Sequence, residues 1–190
     1  MTKTDTMLRS DRYSRVAIAF HWALALLVLT NLTIGLFHDG MPRAWGVMPI
    51  HKSIGITVLV LTLARLGWRL MNPAPAQATT LSAWERTASR AMHWAFYALL
   101  LVMPLSGWAM SSFSKTGTPR PLTWFNLFDI PYLPVTGEVA GVGHEAHEIL
   151  GWTMAALVVI HVLAALRHHF ILRDSTLHRM LPILNAPKAS

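Results

Sequence analysis

Residues 147–168 read HEILGWTMAALVVIHVLAALRH and decide the fold of this chain. From Ile149 to Leu166 the stretch has no Lys, Arg, Asp or Glu, and its length suits a helix that crosses the apolar core of a bilayer. His147 and His161 lie 14 residues apart. A helix turns by about 100° and rises by about 1.5 Å per residue, so the two histidines lie within about 40° of the same face and about 21 Å apart along the axis. Because imidazole is costly in lipid, we expect both rings to face a bundle interior, one near each membrane surface.

Three further apolar stretches complete the predicted bundle. Val16–Phe37 and Ala91–Ser112 carry no formally charged side chain, and Ile50–Trp68 carries only Lys52 and Arg65. The whole chain of 190 residues is 53% hydrophobic and 13% charged, which is little charge for a soluble domain. We therefore predict an all-α fold, a four-helix transmembrane bundle over residues 16–170, with an N-terminal arm over 1–15 and a tail over 171–190.

The two longer connections differ in composition. Met71–Arg90 is polar and offers Ser82, as well as the Thr79–Thr80 pair, to begin the third helix. Phe113–Glu145 mixes proline with aromatic residues, which favours a loop, including a short helix, on the membrane surface. On this reading His144 belongs to the loop.

The distribution of basic residues predicts the orientation. Twelve of them flank the helix ends on one side of the membrane: Lys3, Arg9, Arg12, Arg15, Arg65, Arg69, Arg86, Arg90, Arg167, Arg173, Arg179 and Lys188. Four lie on the other side: Arg43, Lys52, Lys115 and Arg120. The positive-inside rule then places both termini in the cytoplasm. The same distribution explains the net charge of +7 by a lipid surface, so no nucleic-acid partner is expected.

Topology pairs four histidines by depth. His21 and His161 fall near the cytoplasmic side, whereas His51 and His147 fall near the opposite side, each opening its helix. Two imidazoles can fill both axial positions of a haem iron, which leaves no site for oxygen and favours electron transfer. The chain has no cysteine, so thiolate ligation and covalent haem attachment are excluded. These residues indicate two noncovalently bound haem groups.

Smaller signals surround these pairs. Gly55 and Gly151 each follow a histidine by four positions and leave a bare helix face, which suits either a porphyrin or close helix packing. Arg65 follows His51 by 14 residues; it can meet a haem propionate or a quinone carbonyl, or extend to lipid headgroups. Lys52 can neutralise propionates at the other end.

Other histidines are secondary candidates. His93 falls at about the depth of His21 and is either an alternative ligand or a hydrogen-bonding residue of a quinone site. His168 follows His161 by seven positions and can line a cytoplasmic-side quinone pocket. The histidines outside the spans are expected at the interface or in solvent: His38, His169 and His178.

The order and spacing of several motifs carry a resemblance to a known family. The motifs are Arg12-Tyr-Ser-Arg15 with His21-Trp22, Ile50-His51 with Gly55 and Arg65, His93 with Pro104 and Gly107, His147-Glu148 with Gly151 and His161, and His168-His169-Phe170 followed by Asp174-Ser-Thr-Leu177, Arg179-Met180 and Pro182. From about Arg12 to Pro182 the chain resembles the bacterial cytochrome b561 family.

The resemblance implies a four-helix bundle of the bacterial inner membrane with two b-type haem groups. By position, His21 and His161 would hold the cytoplasmic-side iron, and His51 and His147 the periplasmic-side iron. A quinone partner is implied as well. One branch of the family is a superoxide oxidase that passes electrons from superoxide to ubiquinone.

In that branch the chain would be an oxidoreductase with ubiquinone as acceptor. His168, Arg65 and His93 would then be candidates for the quinone site, and Lys52 would lie near the entry of superoxide.

Two alternatives stay open at this point. A cytochrome b anchor subunit of a hydrogenase or formate dehydrogenase complex uses a similar histidine pattern. A haem-free, histidine-lined transporter belongs to another class, although the spans lack the carboxylates and thiolates that such proteins place inside the bilayer. A bundle of this size is also compatible with a homodimer.

Overall fold

The computed structural model of the chain describes residues 13–73, 75, 82–115, 117, 119 and 122–181. Within these residues, four long helices are each long and apolar enough to cross a membrane. They are α1 (Arg15–Phe37), α2 (Val47–Met71), α3 (Ala83–Ser111) and α4 (Gly137–Arg167). The predicted all-α, four-helix membrane fold is confirmed. Most of the predicted N-terminal arm, and the tail beyond residue 181, lie outside the described residues.

The helices alternate in direction around the bundle. α1 packs on α2, α2 on α3 and α3 on α4, and α1 also meets α4. Tyr13 and Leu181 therefore lie at one end, which we call the terminal end, and the loop between α3 and α4 lies at the other, the loop end. At the terminal end, Arg167 of α4 forms an ion pair of 3.2 Å with Glu85 of α3.

The core of the bundle is narrow and its outside is apolar. The buried core cluster consists of Leu24, Leu32, Ile54, Val58, Leu99, Leu100 and Met154. Many large apolar side chains remain exposed on the outer faces; Leu26, for example, is 68% exposed. A monomer in water rarely exposes so much apolar surface, whereas helices that face lipid must do so.

Short polar side chains begin three of the helices. Ser14 and Thr136 accept hydrogen bonds from the first turns of α1 and α4. Ser82 forms a capping box with Glu85, so the prediction of Ser82 as a helix start is confirmed. The alternative start at residues 79–80 lies outside the described residues.

The predicted loop at Phe113–Glu145 is wrong over its last part. α4 already begins at Gly137, so His147 lies within the helix and His144 is an exposed helical residue. Glycine has a poor helix propensity, which hid this first turn in the sequence. Gly143 packs closely on α3, because a Cβ atom there would lie 3.2 Å from the main-chain oxygen of Ser106.

A β-hairpin replaces the short helix expected in this loop. Strands β1 (Thr123–Trp124) and β2 (Phe128–Asp129) pair in antiparallel fashion. The hairpin docks on α2, where the Ser53 hydroxyl accepts a 2.9 Å hydrogen bond from the Phe125 amide, and the Trp124 indole donates to Thr57 at 3.0 Å. The loop therefore covers the loop end of the bundle.

The chain after α4 folds back on the bundle. One π-helical turn, His168–Leu172, extends α4, and the indole of Trp22 in α1 donates a 2.7 Å hydrogen bond to the carbonyl of Met180. His178 is buried in this segment, so of the two expectations, interfacial or solvated, the solvated one is wrong. The reason is tertiary: the segment docks on the bundle.

Candidate functional site

His51 of α2 and His147 of α4 meet near the loop end. Their ring centroids are 5.9 Å apart and the ring planes are nearly perpendicular, at 82°. Nδ1 of His51 lies 3.2 Å from the carbonyl oxygen of Asn31, and Nδ1 of His147 lies 2.9 Å from that of Met103. A carbonyl only accepts, so each Nδ1 carries the proton and donates it. Nε2 of each ring is then left with its lone pair, which is the form that binds a metal.

Glycines make room for these two rings. A Cβ atom at Gly35 would lie 3.0 Å from Cε1 of His51, and one at Gly107 would lie 2.9 Å from Cε1 of His147. Each imidazole therefore packs directly on the backbone of a neighbouring helix. Gly35 was not identified from the sequence, and Gly107 was recognised only as part of a motif. In the sequence, the one sign of their role was that each is a glycine within an apolar stretch.

A cavity of about 510 Å³ adjoins this histidine pair. This volume is within the range of cofactor and ligand sites. Gly55 and Gly151 both line the cavity; a Cβ atom at Gly151 would meet no atom within 4 Å, and one at Gly55 would meet only Nδ2 of Asn31, at 3.8 Å. The bare faces of these two glycines therefore border the cavity and do not serve close helix packing.

The cavity wall is mainly apolar, with charged groups of both signs. Lys52 lies in the wall, and Asp39 and Glu148 lie there too. The positive charge of Lys52 is therefore offset locally. Asn31 also lines the cavity; it is 8% exposed, and its Oδ1 has no hydrogen-bond partner among the described residues.

Three histidines cluster near the terminal end. The ring centroid of His161 lies 6.3 Å from that of His21 and 6.1 Å from that of His93, so distance alone does not separate the two candidates. Nδ1 of His93 lies 2.6 Å from the carbonyl oxygen of Ser89, one turn earlier in its own helix. The edge of Phe96 also meets His161, with ring centroids 5.3 Å apart.

Arg65 faces this cluster. Its guanidinium lies 5.7 Å from the ring centroid of Tyr97 in α3, and it is near enough to His21 and His93 to interact with them electrostatically. Cation–π contacts of this kind hold an arginine in one place. Tyr97 was not identified from the sequence, because only the packing of α2 on α3 brings it to Arg65.

His168 has a different partner. Its Nδ1 lies 2.6 Å from Oδ2 of Asp174, so His168 belongs to a histidine–carboxylate pair. His168 follows His161 by seven residues, which is about 10 Å along a helix. Asp174 was quoted only within a motif, and its contact with His168 depends on the turn that follows α4.

Comparisons with known proteins identify the family of this chain. The family model described as prokaryotic cytochrome b561 matches residues 12–182. The chain is 35% identical over 178 residues to "Cytochrome b561 homolog 2" of Escherichia coli, covering 90% of this chain and 92% of that protein.

Two further relatives are similar over nearly their whole length. "Probable superoxide oxidase CybB" of Yersinia pestis is 30% identical over 90% of this chain and 96% of its own length. "Cytochrome b562" of Cereibacter sphaeroides is 27% identical over 92% and 98%, respectively. The chain therefore belongs to the prokaryotic cytochrome b561 family, bacterial membrane electron-transfer proteins that bind b-type haem.

Proposed function

We propose that this protein holds two haem b groups and carries electrons across the bacterial inner membrane to or from the quinone pool. The observation that carries the proposal is the pair of imidazole couples, with ring centroids 5.9 Å apart at the loop end and 6.3 Å apart at the terminal end. A metal–imidazole bond is about 2 Å long, so ring centroids roughly 6 Å apart suit two imidazoles that would hold one iron between them. His51 and His147 would hold one haem, and His21 and His161 the other.

The residues around the loop-end pair fit a haem. Main-chain carbonyls orient His51 and His147 with Nε2 available, and Gly55 and Gly151 leave one side of the adjoining cavity open to a flat macrocycle. A haem held by His51 and His147 would supply one-electron chemistry. The chain's own contribution is to orient the ligands and to exclude water with apolar helices.

The proposed orientation places the terminal end in the cytoplasm. At that end the described residues include eight basic side chains: Arg15, Arg65, Arg69, Arg86, Arg90, Arg167, Arg173 and Arg179. At the loop end they include three: Arg43, Lys52 and Lys115. The imbalance follows the positive-inside rule. Lys3, Arg9, Arg12, Arg120 and Lys188 lie outside the described residues.

Superoxide:ubiquinone oxidoreductase is the activity we propose for this electron path. Support comes from the relative named as a probable superoxide oxidase and from Lys52 in the wall of the loop-end cavity. Ubiquinone would be reduced at the terminal end, near His168, Arg65 and His93. Asp39 and Glu148 oppose the attraction of Lys52 for an anion, so the donor must be tested directly.

The test uses the full chain, produced with ample haem supply and purified in detergent. We expect two haem groups per chain, rapid reduction of the haem by superoxide and reoxidation by a short-chain ubiquinone. If quinol reduces the haem but superoxide leaves its spectrum unchanged, the superoxide step is wrong and the electron conduit stands.

The same preparation separates the alternatives. Co-purification with an iron–sulfur protein would favour the anchor subunit of a hydrogenase or formate dehydrogenase complex. A colourless protein would contradict both haem assignments and favour the histidine-lined transporter.

A further inference from the structure

His168 and Asp174 form a well-covered pair at the terminal end. Nδ1 of His168 donates to Oδ2 of Asp174 at 2.6 Å, and the two side chains are 12% and 9% exposed. The amide of Thr176 donates to the other carboxylate oxygen at 2.8 Å. Burial raises the pKa of Asp174, but hydrogen bonds from Thr176 and His168 outweigh it and leave the pKa below its usual value. Both oxygens of an ionised carboxylate are thus in use.

The fold brings this pair together through one local feature. The π-helical turn His168–Leu172 widens the end of α4, and Arg173 then adopts a left-handed conformation with φ 53°. The chain therefore reverses, and the amide of Asp174 donates to the carbonyl of His168 at 3.2 Å. Such π-helical turns often mark functional sites, because the widened backbone redirects a side chain.

The segment that carries Asp174 is anchored beside the terminal-end histidines. The hydrogen bond from Trp22 to Met180 ties it to α1, and the Trp22 ring meets its neighbour His21 edge-on, with centroids 5.4 Å apart. His168 therefore lies in an ordered environment at the end of an apolar helix.

We propose that Asp174 is a positioning residue for quinol binding, which holds Nδ1–H of His168 so that the lone pair of Nε2 accepts a hydrogen bond from a quinol hydroxyl. This inference rests on the proposed function, which places the quinone at the terminal end. A carboxylate only accepts hydrogen bonds, so it fixes both the tautomer and the rotation of the ring. Without it, the imidazole can turn over and present a carbon atom where the quinol hydroxyl needs an acceptor nitrogen.

The test is a double-mutant cycle on the haem-loaded full chain, with a short-chain ubiquinol as the electron donor to the haem. The variants are Asp174→Asn, His168→Gln and the double variant. Asp129→Asn, which makes the same chemical change on the exposed hairpin at the other end, is the matched control. KM, kcat, haem content and the haem spectrum are measured for each.

We expect Asp174→Asn to raise KM for ubiquinol about tenfold, which is the lower end of the effect of removing an outer-shell partner of a metal-ligating histidine. Haem content and spectrum should not change. His168→Gln should raise KM at least as much, and the double variant should be no worse than His168→Gln alone. Asp129→Asn should have the KM of the wild type. Asp174→Glu keeps an anionic acceptor and should have a KM nearer the wild type than Asp174→Asn.

Three results would overturn the inference while the proposed function stands. The first is an unchanged KM in Asp174→Asn. The second is a KM of the double variant about tenfold above that of His168→Gln alone. The third is an Asp174→Glu variant that has full haem content but a KM as high as that of Asp174→Asn. Loss of haem in Asp174→Asn, with Asp174→Glu showing the same loss, would make the residue structural and also refute a positioning role. If the wild-type haem exchanges no electrons with ubiquinone, the proposed function itself fails, and the inference fails with it.

Discussion

Gly107 of α3 lies directly against the imidazole of His147 in α4, so close that a Cβ atom there would come within 2.9 Å of Cε1 and 3.1 Å of Nδ1. The same Nδ1 is held by the carbonyl of Met103 at 2.9 Å and lies 3.2 Å from the Ser106 hydroxyl. One turn of α3 thus both supports the ring and fixes its direction. The position of the ring depends on the absence of a side chain at Gly107.

Gly107→Ala should therefore lose the loop-end haem. The methyl group must push the imidazole away from α3, which breaks its hydrogen bond to Met103 and shifts Nε2. We expect haem content to fall from two groups per chain to one, measured by pyridine haemochrome and protein assay. Gly67→Ala in α2 is the control, because a Cβ atom at Gly67 would meet nothing within 4 Å. Two haem groups in Gly107→Ala would contradict the tight fit at this ring.

Gly151→Leu tests the cavity. The longer side chain would extend into the space beside His51 and His147, where no atom lies within 4 Å of the Cβ position. We expect loss of the loop-end haem, detected as the disappearance of one of two potentials in a redox titration. Gly141→Leu adds the same side chain to an exposed position of the same helix and should keep both haem groups. If Gly151→Leu keeps both, the cavity does not hold a haem.

His21→Ala and His93→Ala decide the ligand at the terminal end. Their rings lie 6.3 Å and 6.1 Å from His161, and the hydrogen bond of His93 Nδ1 to a main-chain carbonyl leaves its Nε2 available, so the choice of His21 follows the family resemblance and not this geometry. We expect His21→Ala to lose one haem and His93→Ala to keep both while weakening quinone reduction. Absorption spectra with haem quantification separate the two. If only His93→Ala loses a haem, His93 is the haem ligand and His21 is not.

The stabilising effect of Asp174 should depend on pH in one direction. Its pKa is lowered in the folded protein from the model-compound value of 3.8, so the ionised form is favoured by folding. The stabilisation is therefore complete above pH 3.8 and is lost as the pH falls through the lower, folded-state pKa. In thermal unfolding, Asp174→Asn should be less stable than the wild type at pH 6, and the difference should shrink below pH 4. A difference that grows on acidification would contradict this sign.

Much of the fold could be predicted because the length of an apolar stretch can be read directly from the sequence. The stretch before Leu166 needed no tertiary information to be identified as a membrane helix, and the spacing of His147 and His161 was sufficient to predict two histidines of one helix at different depths. The extension of α4 back to Gly137 was not visible, since its first turns are rich in glycine and are stabilised by contact with α3. Helix propensity alone underestimates such a segment.

The surroundings of the candidate ligands were beyond sequence reasoning for a similar reason. Gly35 packs on His51 and the carbonyl of Asn31 binds it, although they lie 16 and 20 positions earlier in the sequence. Nothing in the residue type of either one predicts this contact. Backbone carbonyls are present at every residue, so only the packing of α1 on α2 selects the one that meets an imidazole. The burial of His178 likewise depends on a segment that folds back after α4.

The docked hairpin has a consequence for protein engineering. Loops between helices are usually the parts most easily exchanged between relatives. Here Ser53 holds the hairpin, Ser112 accepts a 3.0 Å hydrogen bond from the amide of Leu133, and Leu122, only 3% exposed, belongs to the cavity wall. A chimera that grafts a relative's loop onto these helices would reshape the cavity itself, so the loop and α2 should be transplanted together.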